Sequence, residues 1–425
     1  MIRYLTAFAL AATLAAAPQA RAEAPPTRDV LVTYADIAAA TYGDTLASAK
    51  ALKAAIDTLL KTPSEETLNA AREAWKAART PYMQTEAFRF GNPIVDAWEG
   101  RVNSWPLDEG LIDYVSEAYG GDGDNPENEF YAANIIANRS LKVAGKTVDA
   151  SAITPALLRE LHEAGGVEAN VATGWHAIEF LLWGQDLNGT EAGAGTRPAT
   201  DYDLAACTHG NCDRRAAYLS TATDVLIEDL TWMTAQWGPD GEARRFVLLD
   251  DNAGLTALFT GLGSLSYGEL AGERMKLGLI IHDPEEEHDC FSDNTHNSHR
   301  GDVIGIRNVY LGRYTRTDGQ VVSGPSASDL VKAKDPEIDA RVRAALDTTM
   351  AKMDALVARA ETVEAYDQMI GLDNPEGNAT VQAGIDALIA QAKELERAIA
   401  LLNLKDIKFE GSDSLDDPGK VGDGN

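Results

Sequence analysis

Strand-length runs of alternating apolar and polar residues are nearly absent from this 425-residue chain, which excludes a large β-sheet fold. Cysteine is scarce: Cys207, Cys212 and Cys290 leave no zinc-finger spacing and no Cys-x-x-Cys-His haem attachment. Positive charge is also short. There are 37 Lys and Arg against 66 Asp and Glu, for a formal net charge of −29. Such a surface repels nucleic acid and anionic lipid and draws cations, so a nucleic-acid partner is excluded. Past the N-terminus no apolar run is long enough to cross a bilayer, so no transmembrane segment is expected after signal cleavage.

What is present begins with a leader. Arg3 gives a positive start, Leu5 to Ala17 is a short apolar run, and Ala20-Arg21-Ala22 fits a signal-peptidase site. Residues 1–22 therefore read as a signal peptide cleaved after Ala22, and the expected location is the periplasm. No cysteine follows the cut, so no lipid anchor is expected there. In an oxidising compartment Cys207 and Cys212 can close a small loop around Thr208-His209-Gly210-Asn211, with a pairing to Cys290 left open.

The rest reads as all-α, as two helical bundles. Leu68, Ala71, Trp75, Ala78 and Tyr82 form one helical stripe, opened by a capping box at Thr62, Pro63 and Glu65 and interrupted by Pro81. Val381, Ile385, Leu388, Ala392, Leu395, Ile399 and Leu402 recur in steps of four and three near the other end. Residues 91–115 read as a packed loop with short helical turns, and the Gly- and Thr-rich stretch 184–206 as a connection. These assignments give a first bundle over 23–205, a second over 206–404, and a flexible tail over 405–425. Asp122 and Asp124 resemble the start of a calcium loop, but Glu127 takes the place of its glycine.

The chain is organised around Gly174-Trp175-His176-Ala177-Ile178-Glu179. His176 and Glu179 are three residues apart, so a helix puts them on one face of an apolar segment. Three readings compete: a buried hydrogen bond, a metal-ligand pair of one nitrogen and one oxygen, or a proton-transfer pair. The spacing recurs at His282 and Glu285, but Pro284 and the surrounding charges make that copy a loop. Further candidates are Glu86, just past the buried stripe, and Trp105, Asp108, Glu109 and Asp113, where carboxylates interleave with large apolar groups. Glu269 and Glu273 come from a glycine-containing helix, and His288 and His296 from a histidine-rich segment that leads to Arg307.

The motif, read with Val102-Asn103-Ser104-Trp105-Pro106-Leu107-Asp108-Glu109-Gly110, with Glu269-Leu270-Ala271-Gly272-Glu273-Arg274-Met275 and with Cys290-Phe291-Ser292-Asp293-Asn294-Thr295-His296, resembles the imelysin-like family. Within it, the iron-regulated protein A branch is the nearest likeness. The resemblance implies two four-helix bundles with a site between them and an exported protein linked to iron uptake or iron regulation. It also implies His176 and Glu179 as metal ligands. Its ligand is then a divalent or ferric metal, iron or alternatively zinc, bare or as a chelate or haem, and its partner a membrane iron-transport component. Asp108, Glu109, Glu269, Glu273 and Arg307 lie in matching stretches. The family's older metallopeptidase label implies a zinc-dependent peptidase instead. Zinc-peptidase helices carry two histidines four apart with a glutamate base between them, and this motif has one histidine. Binding is therefore preferred to catalysis.

Overall fold

The computed structural model describes residues 23–119, 128, 130–143, 145–405 and 407–421. The leader and the Asp122–Asp124 stretch lie outside these residues. Helix α1 (Thr27–Lys61) and helix α2 (Glu65–Met83) form a long antiparallel start. The cap of α2 is Ser64, two residues after the Thr62 expected. Its Oγ accepts from Thr67 N at 3.2 Å, and Thr67 Oγ1 accepts from Ser64 N at 3.1 Å. Glu65 instead reaches across to accept from Ala199 N. The Leu68–Tyr82 stripe is fully buried, and α2 stops two residues after Pro81.

Helix α3 (Pro93–Asn103) replaces part of the loop expected over 91–115. Asn92 caps it, Pro93 supplies its first turn, and Trp98 and Val102 bury its inner face. Helix α4 (Gly174–Trp183) carries the motif, and helix α5 (Cys212–Gln236) follows. Helices α1, α2, α4 and α5 pack as one group. Helix α5, which opens the second domain expected over 206–404, packs on α1 and α4 of this group. Cys207 and Cys212 are joined by a disulfide at the start of α5, and Cys290 is a buried free thiol.

The second group comprises helix α6 (Asp251–Ser264), which continues as a π-helix over Leu265–Lys276, with helices α7 (Thr295–Leu311), α8 (Pro336–Thr362) and α9 (Pro375–Leu402). The π-turns widen the helix and leave a concave edge, a geometry often found at functional sites. The chain end fits that edge. A Cβ at Gly263 would overlap the Phe409 ring, and one at Gly272 would overlap Ser412. Ser414 Oγ donates to Gly272 O at 2.9 Å, and Tyr267 donates to Asp416 at 2.7 Å. Of the stretch expected as a flexible tail over 405–425, Phe409, Ser412, Ser414 and Asp416 contact this helix.

The two groups meet where α7 crosses the end of α2. Gly301 and Gly305 are required there, because a Cβ would strike Met83 and the backbone of Gln84. One apolar core runs through both groups. Among the described residues the strands form two small antiparallel hairpins, Ser140–Val143 with Lys146–Asp149 and Arg313–Thr315 with Val321–Ser323.

Candidate functional site

Two glycines set the motif helix. Gly174 has φ +89°, and a Cβ on it would collide with Val102 at the end of α3. Gly184, with φ +74°, ends the helix. Between them every residue is buried, so His176 and Glu179 have no contact with bulk water. Their side chains share a hydrogen bond of 3.0 Å, from Nδ1 to Oε2. The other carboxyl oxygen, Oε1, accepts from Ser292 N at 3.1 Å and from Ser292 Oγ at 2.7 Å. Glu179 therefore holds His176 on one side and Ser292 on the other.

The far nitrogen of His176, Nε2, is buried without a hydrogen-bond partner. The histidine-rich segment lies opposite. The His288 ring sits 4.9 Å from the His176 ring, with Trp105 edge-on behind it at 5.6 Å. One ligand atom each of His176, His288 and Asp289 falls within 4.8 Å of the others, and all three residues are buried. Arg79 of α2 holds this group from one side. It donates to Asp289 Oδ1 at 2.7 Å and to Asn103 Oδ1 at 2.6 Å, and lies 3.5 Å from His288 Nδ1. Asn294 and Ser298 donate to the other Asp289 oxygen.

The electrostatics suit neutral imidazoles beside a fixed carboxylate. Burial first, then the Arg79 charge, holds His176 well below the usual histidine range. Burial, then Arg274 and its neighbours, does the same to His288. Burial opposes ionisation of Asp289, but Arg79, then His176 and the Ser298 hydrogen bond, outweigh it and hold that carboxyl at about 2. Burial, with Asp289 nearby, pushes Glu179 well above the usual carboxylate range. Two neutral nitrogens and one carboxylate form a donor set suited to ferrous iron or zinc.

A cleft of about 580 Å³ reaches His288 from outside, past Asn103, Trp105, Glu99, Glu273 and Arg274. Below it, Arg274 binds Glu86 at 2.7 Å, Glu269 at 2.6 Å and Asp302 at 3.1 Å, and Arg89 approaches Glu99 and Glu269. Carboxylates outnumber arginines in this network, and burial, against the pull of Arg89, raises Glu99 to about 7. A larger groove, about 690 Å³, lies between the π-helix, α9 and the chain end. It is lined by Tyr267, Lys393 and Phe409 and contains none of the candidate residues.

The sequence of this chain matches the family model described as Imelysin over residues 38–395. The chain belongs to the imelysin family. This imelysin is 26% identical over 371 residues to iron-regulated protein A of Synechococcus elongatus, covering 84% of this chain and 82% of that one. Its fold is similar to a candidate iron-regulated protein A precursor from Parabacteroides distasonis, with TM-score 0.62 and 18% identity over 89% of this chain and 96% of that one. It is also similar to an imelysin-like protein from Psychrobacter arcticum, with TM-score 0.55 and 16% identity over 90% and 97% of the two chains.

Of the residues singled out in the sequence of this imelysin, the fold brings together His176, Glu179, His288 and Trp105, with Glu86, Glu269 and Glu273 in the cleft and its floor. Others stand elsewhere. Asp113 is clamped by Arg215 and Arg197. Asp108 bonds Asn128 in a buried polar knot, and Glu109 opens the short helix Glu109–Ile112, so neither supplies the group around His176. His296 bonds Asn297, and burial, reinforced by Lys76, holds it at about 4. Arg307 pairs with Asp347 at the surface. Sequence reasoning missed Asp289, Arg79, Ser292 and Asn103. Two signals were available: Arg79 is a charge four residues past Trp75 beside a buried stripe, and Asp289 directly follows His288.

Proposed function

We propose that this imelysin binds a transition-metal ion, ferrous iron or zinc, through His176, His288 and Asp289, as an exported protein of iron handling. One observation carries the reading: His176 Nε2 is buried without a partner, and a ring nitrogen of His176 lies within 4.8 Å of a ligand atom of His288 and one of Asp289. Glu179 supports it by holding Nδ1 in a hydrogen bond and so directing Nε2 away from itself; metal binding at Nε2 requires the tautomer in which Nδ1 donates and Glu179 accepts. Arg79 balances Asp289 in the ion-free protein, so Asp289 gives up or shares its 2.7 Å contact with Arg79 when a metal ion takes its oxygen. The acidic cleft suits the approach of a cation or a metal chelate. The names of the relatives support a link to iron. The periplasmic location rests on the leader, and no helix of the described residues is long and apolar enough to cross a membrane.

A second reading, a zinc-dependent peptidase, has one observation in its favour. Glu99 lines the same cleft with its carboxyl raised to about 7, where a general base operates. The experiment that separates the two readings is metal analysis of the purified mature chain, with titration of Fe(II) and Zn(II) into chelator-stripped protein and a casein assay with and without chelator. Binding without hydrolysis supports the first reading, and chelator-sensitive hydrolysis supports the second. No binding of either metal at millimolar concentration would rule out both.

A further inference from the structure

We infer that this imelysin has a separate site for a hard divalent cation, calcium or manganese, built by Asp186, Asp293 and Asp367. These residues come from three segments: the turn just past the end of α4, the junction between the histidine-rich segment and α7, and the short helix Tyr366–Ile370. One carboxylate oxygen from each lies within 4.8 Å of the others. None of these oxygens belongs to the His176 group.

A cluster of acids at a surface needs no cation, because water solvates it. The decisive residue here is Asp367. It is 1% exposed, and neither of its carboxylate oxygens meets a hydrogen-bond donor in good geometry, although the amide of Gln368 lies close by. Asp293 Oδ1 is also buried without a partner. Asp186 accepts from Asn188 N and Nδ2 through one oxygen, which leaves the other uncommitted in the bonds seen. Among the described residues no arginine or lysine lies within ion-pair distance of any of the three, and Lys76 acts on Asp293 from further away. Burying a carboxylate with no counter-charge and only poorly aligned amides of Gln368 and Asp367 itself beside it is unfavourable. A bound cation removes that penalty.

The donor chemistry sets the cation class. Three carboxylates with no nitrogen or sulfur ligand favour calcium, manganese or magnesium over iron(II) or zinc. Asp186 and Asp293 are half-exposed, so the cluster opens to solvent on one side, where water completes the coordination. Calcium, with its flexible six- to eight-oxygen shell, tolerates such a partial protein cage better than magnesium. The site would pin the histidine-rich segment between α4 and the Tyr366–Ile370 helix, whose Tyr366 ring packs on His299 at 5.2 Å.

The test uses chelator-stripped mature protein. Calcium is titrated by calorimetry, manganese by electron paramagnetic resonance, and thermal unfolding is followed with and without each ion. Wild type should bind one ion and melt at higher temperature with it, since a ligand that binds the folded state stabilises it. Asp367→Asn and Asp293→Asn should each weaken binding at least tenfold and lose the thermal shift, while His176→Ala keeps both. If Asp367→Asn does not fold, Asp293→Asn at the half-exposed position carries the test. The inference is overturned if wild type shows neither heat nor thermal shift with millimolar calcium or manganese. It is also overturned if Asp293→Asn binds as wild type does. Because His176→Ala is expected to be silent here, this outcome is independent of the transition-metal reading.

Discussion

Two buried charged knots in this imelysin invite comparison, because the sequence singles out a residue in each. In one, Asp113 accepts from Arg215 at 2.6 and 3.0 Å and from Arg197 at 2.7 Å, and Arg197 also reaches Asp201. Its carboxylate is fully taken, and the Arg197 guanidinium lies over the Tyr114 and Phe180 rings, 4.9 and 5.4 Å away. In the other, His176, His288 and Asp289 leave an imidazole nitrogen unpartnered, with a single guanidinium, Arg79, as counter-charge. Both are buried and both are charged. The first has its Asp113 carboxylate filled, leaves only Arg197 donors (Nε and Nη2) unbonded, and ties the 184–206 stretch to α5. The second has bonding capacity left over, and a cleft leads to it. Burial of charge alone therefore does not mark a functional site. Unused ligand capacity with a path to solvent is what sets the His176 group apart as the candidate.

The comparison breaks most easily at Asp113. Asp113→Asn leaves Arg197 and Arg215 without their shared carboxylate, and removing one partner of a buried ion pair costs about 3–5 kcal/mol. Urea unfolding should show a loss of that size, with fast aggregation or poor yield as the extreme case. The pH dependence has a definite sign. Burial opposes the charge on Asp113, but Arg197 and Arg215 pull its folded pKa below the ordinary value. Its stabilisation is therefore present above the unfolded pKa of about 3.9 and is lost as pH falls through the lower folded value. The stability gap between wild type and Asp113→Asn should be flat from neutral pH to about 5 and shrink below about 4. A gap that widens in acid would mean that the carboxylate is not the charged partner.

At the other knot the larger effect belongs to binding. His176→Ala removes a proposed ligand and should weaken Fe(II) or Zn(II) binding by roughly a hundredfold or more, while far-ultraviolet circular dichroism stays helical. Glu179→Gln removes the orienting carboxylate and should weaken it by about 10–100-fold. Equal affinity in wild type and His176→Ala would reduce the pair to a core hydrogen bond and erase the difference between the knots.

Much of the architecture was legible because its periodicity is strict. The Leu68–Tyr82 and Val381–Leu402 stripes each bury one helical face, and two glycines bracket the motif helix where close packing demands them. The packing of α5 was not legible. The irregular 184–206 stretch looks like a linker from composition, yet Arg197 pins it into the core, and α5 returns to the first group. The site was half legible. His176 and Glu179 announce themselves by spacing, but which carboxylate completes the group depends on how a distant segment folds back. Asp108, Asp113 and Asp289 look alike in sequence, and they differ in whether an arginine or an open imidazole meets them.

Arg307 supplies the smallest expected effect and a control on the whole argument. It lies in a stretch that matches the family, close in sequence to the histidine-rich segment, and it was a candidate for that reason. In the fold it sits on α7 and points to Asp347 of α8, 3.0 Å away, with the two side chains 41% and 66% exposed. Water and salt screen such a pair, and exposed pairs contribute about 0–1 kcal/mol. Arg307→Ala should therefore change unfolding stability by less than about 1 kcal/mol and leave Fe(II), Zn(II) and calcium affinities at wild-type values. The pair should also weaken as salt is raised, so even that small difference should fade at high ionic strength. A loss of metal affinity near that of His176→Ala would show that α7 transmits a contribution from its exposed face to the buried group. Position in the sequence would then have been a better guide to function than the contacts each side chain makes.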